Sequence, residues 1–118
     1  MTKKRTFSKA LCQEFWSPGQ FRAQARVMKA LAHSTRIFIV DELSHGERCV
    51  AELTGMIGAE MPTVSRHLKL LKNAGLVAAE KRGANVFYRL RLACCLNFLK
   101  CVESVLAQDR AGRRSAVG

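Results

Sequence analysis

A chain of 118 residues is long enough for one hydrophobic core and too short for two independent ones. Its 48% apolar and 25% charged residues are the mixture of a globular domain, and no apolar run reaches the length of a membrane-spanning helix. Twenty Lys and Arg against nine Asp and Glu leave a formal charge of +11, which points to a polyanionic partner.

The cations are grouped: Lys3, Lys4 and Arg5; Lys69 and Lys72; Lys81 and Arg82; Arg110, Arg113 and Arg114. Nucleic acid ranks above an acidic membrane surface, because no basic amphipathic helix with bulky exposed apolar residues stands out. The first residues, MTKKRTFSKALCQEFW, carry charge but lack the apolar stretch of a signal peptide, so a cytoplasmic location is expected. Five cysteines, at Cys12, Cys49, Cys94, Cys95 and Cys101, are an odd number and read as thiols in a reducing compartment.

In chain order, residues 5–16 suit a short helix, which Ser17-Pro18-Gly19 would end before a new segment near Gln20. Phe21, Ala25, Met28 and Leu31 then recur at helical spacing, and a further helix runs through Ile37, Val40 and Leu43 to Ser44-His45-Gly46. A short helix starting at Cys49 carries Val50, Leu53 and Ile57 and stops at Gly58. The next, opened by Pro62, has Val64, Leu68 and Leu71 as its buried stripe and ends at Asn73-Ala74-Gly75. Two strands, residues 76–81 and 85–91, form a hairpin around Arg82-Gly83-Ala84, with Val86, Tyr88 and Leu90 alternating against Phe87, Arg89 and Arg91. A last helix at residues 93–108 carries Leu96, Leu99, Val102, Val105 and Leu106.

The expected architecture is mainly α with a β-hairpin wing, a winged helix-turn-helix centred on residues 51–90. Residues 1–19 form a basic extension with a short helix, residues 20–108 the DNA-binding and dimerisation domain, and residues 109–118 a basic tail without regular structure. In such a unit the second helix enters the major groove while its apolar face holds it on the first. Thr63, Ser65, Arg66, His67, Lys69 and Lys72 on that helix are the expected contacts to duplex DNA, joined by Lys81, Arg82, Asn85 and Tyr88 on the wing. A solvated helix face is the commoner explanation for isolated charges, and the basic hairpin directly downstream is what strengthens the DNA reading.

Three stretches together carry a family resemblance: Leu31-Ala32-His33-Ser34-Thr35-Arg36, Glu47-Arg48-Cys49-Val50-Ala51-Glu52-Leu53, and Thr63-Val64-Ser65-Arg66-His67-Leu68-Lys69-Leu70-Leu71-Lys72-Asn73-Ala74-Gly75-Leu76-Val77. Over about residues 21–108 the chain resembles the ArsR/SmtB family of bacterial repressors. The resemblance implies a homodimer, joined through helices at residues 21–31 and 93–108, that occupies a palindromic operator and leaves it when an inducer binds.

The family's arsenite site on the scaffold helix has several cysteines, whereas this chain keeps only Cys49 there, which reads as a small buried residue. A zinc site on the last helix would require a histidine, and none follows His67. The remaining concentration of thiols is Cys94, Cys95 and Cys101. Arsenite, or its analogue antimonite, is therefore the expected inducer, since soft thiolates select soft, thiophilic centres. Cadmium or lead, or a redox or persulfide switch on the same thiols, are the alternatives. Cys12 is either a fourth ligand or incidental.

In an unbroken helix Cys94 and Cys101 lie about 10.5 Å apart along the axis at about 1.5 Å per residue, too far for one arsenic atom. The helix would have to begin after Cys95, or unwind its first turn, or borrow a thiol from a partner subunit. Cysteines at a helix start would have their thiolates favoured by the helix dipole. Packing at i and i+7 is the competing explanation for Cys94 and Cys101. An enzyme is not expected: no cysteine has a histidine and carboxylate framework in a familiar motif, and the histidines are His33, His45 and His67.

Overall fold

The structure, a computed structural model, describes residues 17–91 and 94–117. The short helix expected at residues 5–16, and Cys12 with it, lie outside the described residues. The order of elements is α1 (Pro18–Leu31), α2 (Ser34–Leu43), β1 (Arg48–Cys49), α3 (Val50–Ile57), α4 (Met61–Asn73), β2 (Val77–Arg82), β3 (Asn85–Leu90) and α5 (Cys94–Val117).

Ser17-Pro18-Gly19 opens a helix. Ser17 takes extended N-cap angles and Pro18 occupies the first turn of α1, where its missing N–H costs nothing. The two glycines that set the helix-turn-helix behave as the sequence suggests. Gly58 ends α3 with φ 77°, and Gly75 turns the chain out of α4 with φ 84°, while the Leu76 N–H reaches back to the Leu71 carbonyl at 3.0 Å. The region is costly for any residue with a Cβ.

The expected hairpin forms, but Arg82 belongs to β2 and faces Asn85, so Gly83 at φ 64° and Ala84 make a two-residue turn in place of the three-residue link Arg82-Gly83-Ala84. The sheet has a third strand that the sequence did not announce. Arg48 and Cys49 pair with Tyr88 and Phe87, so the order is β1-β3-β2 and the wing is anchored to the scaffold by its central strand. A two-residue strand is too short for alternation to show.

The core is one layer of aliphatic side chains shared by α2, α3, α4 and the start of β2: Ile39, Val40, Leu53, Val64, Leu68, Leu71 and Val77 are essentially inaccessible. Leu31 adds the end of α1, and half-buried Cys95 and Leu99 dock α5 onto it. Helix α5 runs from Cys94 to Val117, so residues 109–117, expected to lack regular structure, are helical. Good helix formers (Ala107, Arg110, Ala111, Arg113) continue the helix past Gln108, and Arg110 reaches the Glu103 carboxylate at 2.8 Å. Among the described residues no helix is long and apolar enough to cross a membrane.

Candidate nucleic-acid interface

Helix α4 presents its charge because of its period. With Val64, Leu68 and Leu71 buried, Thr63, Ser65, Arg66, Lys69 and Lys72 are all exposed. Neither α1 nor α4 contains an Asp or Glu. Among the described residues, the ion pairs all lie elsewhere: Arg48 with Glu42 and Glu52, Arg82 with Glu47 and Glu80, and Arg110 with Glu103. The cations of α4 therefore keep their charge for an outside partner.

Two residues of the expected DNA surface turn inward. His67 is half-buried against His33, ring centroids 4.5 Å apart, and its Nδ1 is buried with no hydrogen-bond partner among the described residues. Burial pushes its pKa below the ordinary value of 6.5, and His33, Arg36 and Arg66 push in the same direction. Position 67 sits between the buried stripe and the open face, so helical spacing alone leaves its direction ambiguous. Tyr88 is half-buried and packed on the core, as the inner face of β3 requires.

On the wing, Lys81 and Asn85 are exposed, while Arg82 is engaged. Its Nη1 meets Glu47 Oε2 at 2.8 Å, its Nη2 meets Glu80 Oε2 at 2.9 Å, and its guanidinium lies 5.0 Å over the Phe87 ring. These hydrogen bonds hold the Arg82 pKa above that of a free arginine and the Glu80 carboxyl below its usual range. Arg89 on the outer face of β3 is exposed.

The thiols are divided. Cys94 and Cys101 are exposed and Cys95 half-buried, and α5 is helical from Cys94, so a helix beginning after Cys95 is ruled out as the way to join Cys94 and Cys101. Among the described residues no three His, Cys, Asp or Glu side chains converge as a metal site would require. Within one chain the three thiols do not fit one three-thiolate centre. Nor does the helix start activate Cys95: burial pushes its thiol pKa up, and the neighbouring Cys94 adds to the rise. Cys94 and Cys95 line an apolar cleft of about 340 Å³ with Val27, Met28, Leu31, Leu76 and Phe98.

Cys49 is half-buried and sits at the N-cap of α3, where the Glu52 carboxylate accepts its backbone N–H at 3.1 Å. That bond, more than any other, holds the Glu52 carboxyl below its usual range. The Cys-x-x-Glu spacing from Cys49 to Glu52 is the sequence signal for this cap.

The model of bacterial regulatory proteins of the arsR family matches residues 33–79. The transcriptional repressor SmtB of Mycobacterium tuberculosis is 46% identical over 68 residues, 58% of this chain and 50% of that protein. A homologue of the cadmium resistance regulatory protein CadC from Staphylococcus aureus is 43% identical over 67 residues, 56% of this chain and 55% of that one. The match thus spans about half the length of these curated relatives. The solution structure of Mb0332 from Mycobacterium bovis, a homodimeric winged helix-turn-helix DNA-binding domain, superposes with a TM-score of 0.69 at 32% identity, covering 80% of this chain and 91% of that one. With the helix-turn-helix, the three-stranded wing and these likenesses in place, the chain belongs to the ArsR family of bacterial regulatory proteins and has the winged helix-turn-helix fold.

Proposed function

We propose that this chain is a transcriptional repressor, not an enzyme, that occupies operator DNA in the cytoplasm as a homodimer and is released when arsenite or antimonite binds its α5 thiols. One observation carries the DNA reading: the open face of α4 holds Arg66, Lys69 and Lys72 with no carboxylate on them among the described residues. Thr63 and Ser65 supply short polar groups beside these cations for base edges or phosphates, and Lys81 and Asn85 extend the surface onto the wing. SmtB's designation as a repressor and the homodimeric Mb0332 domain support the same reading.

The dimer accounts for apolar surface left uncovered in one chain. Met28 on α1, and Phe98, Val102, Val105 and Leu106 on α5, are all at least 42% exposed on two helices that line one apolar cleft. A second copy covering them would also set two α4 helices against half-sites one helical turn apart.

The inducer reading rests on the exposed Cys94 and Cys101 flanking half-buried Cys95. Since Cys94 and Cys101 stand two turns apart on an unbroken helix, the third thiol comes either from unwinding of the first turn of α5 or from the second copy. Cys94 and Cys95 share their cleft with Leu76, which directly follows the turn out of α4, so binding there presses on the segment that holds the DNA-reading helix. The likeness to a cadmium resistance regulator supports a soft inducer and makes cadmium the competing ion.

The test is a titration of arsenite, antimonite, cadmium and zinc into the protein bound to a fluorescent duplex enriched from a random pool by the protein itself. Arsenite or antimonite should release the DNA at the lowest concentration, and Cys94→Ser, Cys95→Ser and Cys101→Ser should each block release without weakening DNA binding. Unchanged release in all three variants removes the site. Release by cadmium but not arsenite changes the inducer, and release by peroxide or persulfide alone replaces it with thiol oxidation.

A further inference from the structure

Helix α1 has two unlike faces. Val27, Met28 and Leu31 turn toward Cys94, Cys95 and Phe98, whereas Arg22, Arg26 and Lys29, at i, i+4 and i+7, form a cationic stripe on the other side. Arg26 and Lys29 from this stripe, with Arg36 from the first turn of α2, line a cleft of about 450 Å³ whose far wall is Leu70 and Asn73 of α4. The cleft carries three positive charges. None of them meets a carboxylate among the described residues, and neither α1 nor α4 supplies one. The Arg36 Nε is moreover buried without a hydrogen-bond partner among the described residues. A buried guanidinium N–H left unpaired costs free energy, and a site that gathers cations without a counter-ion lowers that cost by taking an anion.

The position of the cleft says which anion. Along α4 the residues sort by flank: Ser65 and Lys72 lie on one side of the open face, Thr63, Leu70 and Ala74 on the other, and the cleft opens beside the second flank. An α-helix with its side chains is about 10–12 Å across and the major groove of B-DNA about 12 Å wide, so a helix in the groove has one sugar-phosphate backbone along each flank. We propose that the Arg26–Lys29–Arg36 cleft is a second phosphate-binding surface, holding the backbone of one DNA strand beside α4. The assignment rests on α4 lying in the major groove, as proposed above. It makes α1 serve two partners, with its apolar face toward α5 and the second copy and its cationic face toward the duplex.

The experiment measures the salt dependence of binding to the duplex enriched by the wild-type protein and to a scrambled duplex, from about 50 to about 200 mM salt. Phosphate contacts are sequence-independent and each contributes about 0.9 to the slope of log K against log salt. The Arg26→Gln/Lys29→Gln double variant should lower the slope by about 1.8 and weaken both duplexes by the same factor, leaving their ratio unchanged. Lys100→Gln, an exposed lysine on α5, should leave the slope alone. A double variant that melts like the wild type and keeps the wild-type slope overturns the assignment, as does an equal loss of slope in Lys100→Gln. Calorimetry with ATP at constant ionic strength tests a free phosphate ligand: binding to the wild type, lost in a double variant whose slope is unchanged, would give the cleft to a soluble nucleotide instead. Absence of any salt-dependent duplex binding by the wild type would fail the DNA reading itself, a different outcome from a slope that the double variant leaves intact.

Discussion

Arg82, the last residue of β2, closes on Glu47 in the loop before β1 at 2.8 Å, across 35 positions of sequence. The next residue, Arg48, reaches the other way, to Glu42 on α2 at 3.2 Å and Glu52 on α3 at 3.4 Å. Adjacent residues thus tie the wing and the helical scaffold to the same short strand. Since Glu47 and Glu80 already occupy Arg82, Lys81 at the end of β2 is a wing cation with no ion-pair partner among the described residues.

This arrangement fixes an expectation for DNA binding. Lys81→Gln should lower the salt slope by about 0.9, as loss of one phosphate contact does, while Arg82→Gln leaves it unchanged. Glu47→Gln, by loosening Arg82, should strengthen binding to a scrambled duplex. A slope loss in Arg82→Gln equal to that of Lys81→Gln would mean that Arg82 leaves its carboxylates for DNA.

His67 gives a pH dependence. Its folded pKa lies below 6.5 because of burial first, then His33, Arg36 and Arg66. Below the unfolded-state value the unfolded chain binds a proton that the folded protein does not, so stability is complete above about pH 6.5 and declines as pH falls toward the folded pKa. Thermal melts should show the gap between wild type and His67→Gln shifting against the wild type on acidification. Parallel profiles for the two proteins would sink the assignment.

Neighbouring residues on α4 should separate folding from binding. Leu68 is fully buried and Lys69 exposed. Leu68→Ala should cost about 2–5 kcal/mol of stability, read by denaturant titration. Lys69→Ala should change stability by less than about 0.5 kcal/mol yet weaken duplex binding. Equal stability losses in the two would contradict the burial pattern of the helix.

Cys49 should behave as a cap and not as a sensor. Serine accepts an amide hydrogen bond better than a thiol at an N-cap, so Cys49→Ser should match or exceed the wild-type melting temperature, while Cys49→Ala, which keeps the backbone N–H to Glu52, should lose less than the about 0.5–2 kcal/mol that removing a Ser cap costs. Both should keep the full inducer response. Loss of that response in Cys49→Ser would bring Cys49 into the sensing site.

Much of the fold is legible in sequence because its elements are amphipathic at their own periods. Val64, Leu68 and Leu71 mark α4, Gly58 and Gly75 mark the turns around it, and Gly83 marks the wing. Elements without a repeat to read escape it. Strand β1 has two residues, Pro18 fits a helix start as well as an end, and the helical run past Gln108 has no apolar stripe to announce it.

The sequence by itself determined that a basic, single-core chain would carry a positively charged helix followed by a positively charged hairpin, since side-chain period and composition are local properties. Only the tertiary structure decided which charges are free. Arg82 is held by Glu47 and Glu80, whereas Arg26, Lys29 and Arg36 meet no carboxylate among the described residues. It likewise turned His67 onto His33. The reason is physical: pairing, burial and reach depend on which distant residues the core brings together, and spacing along one chain segment contains no record of that.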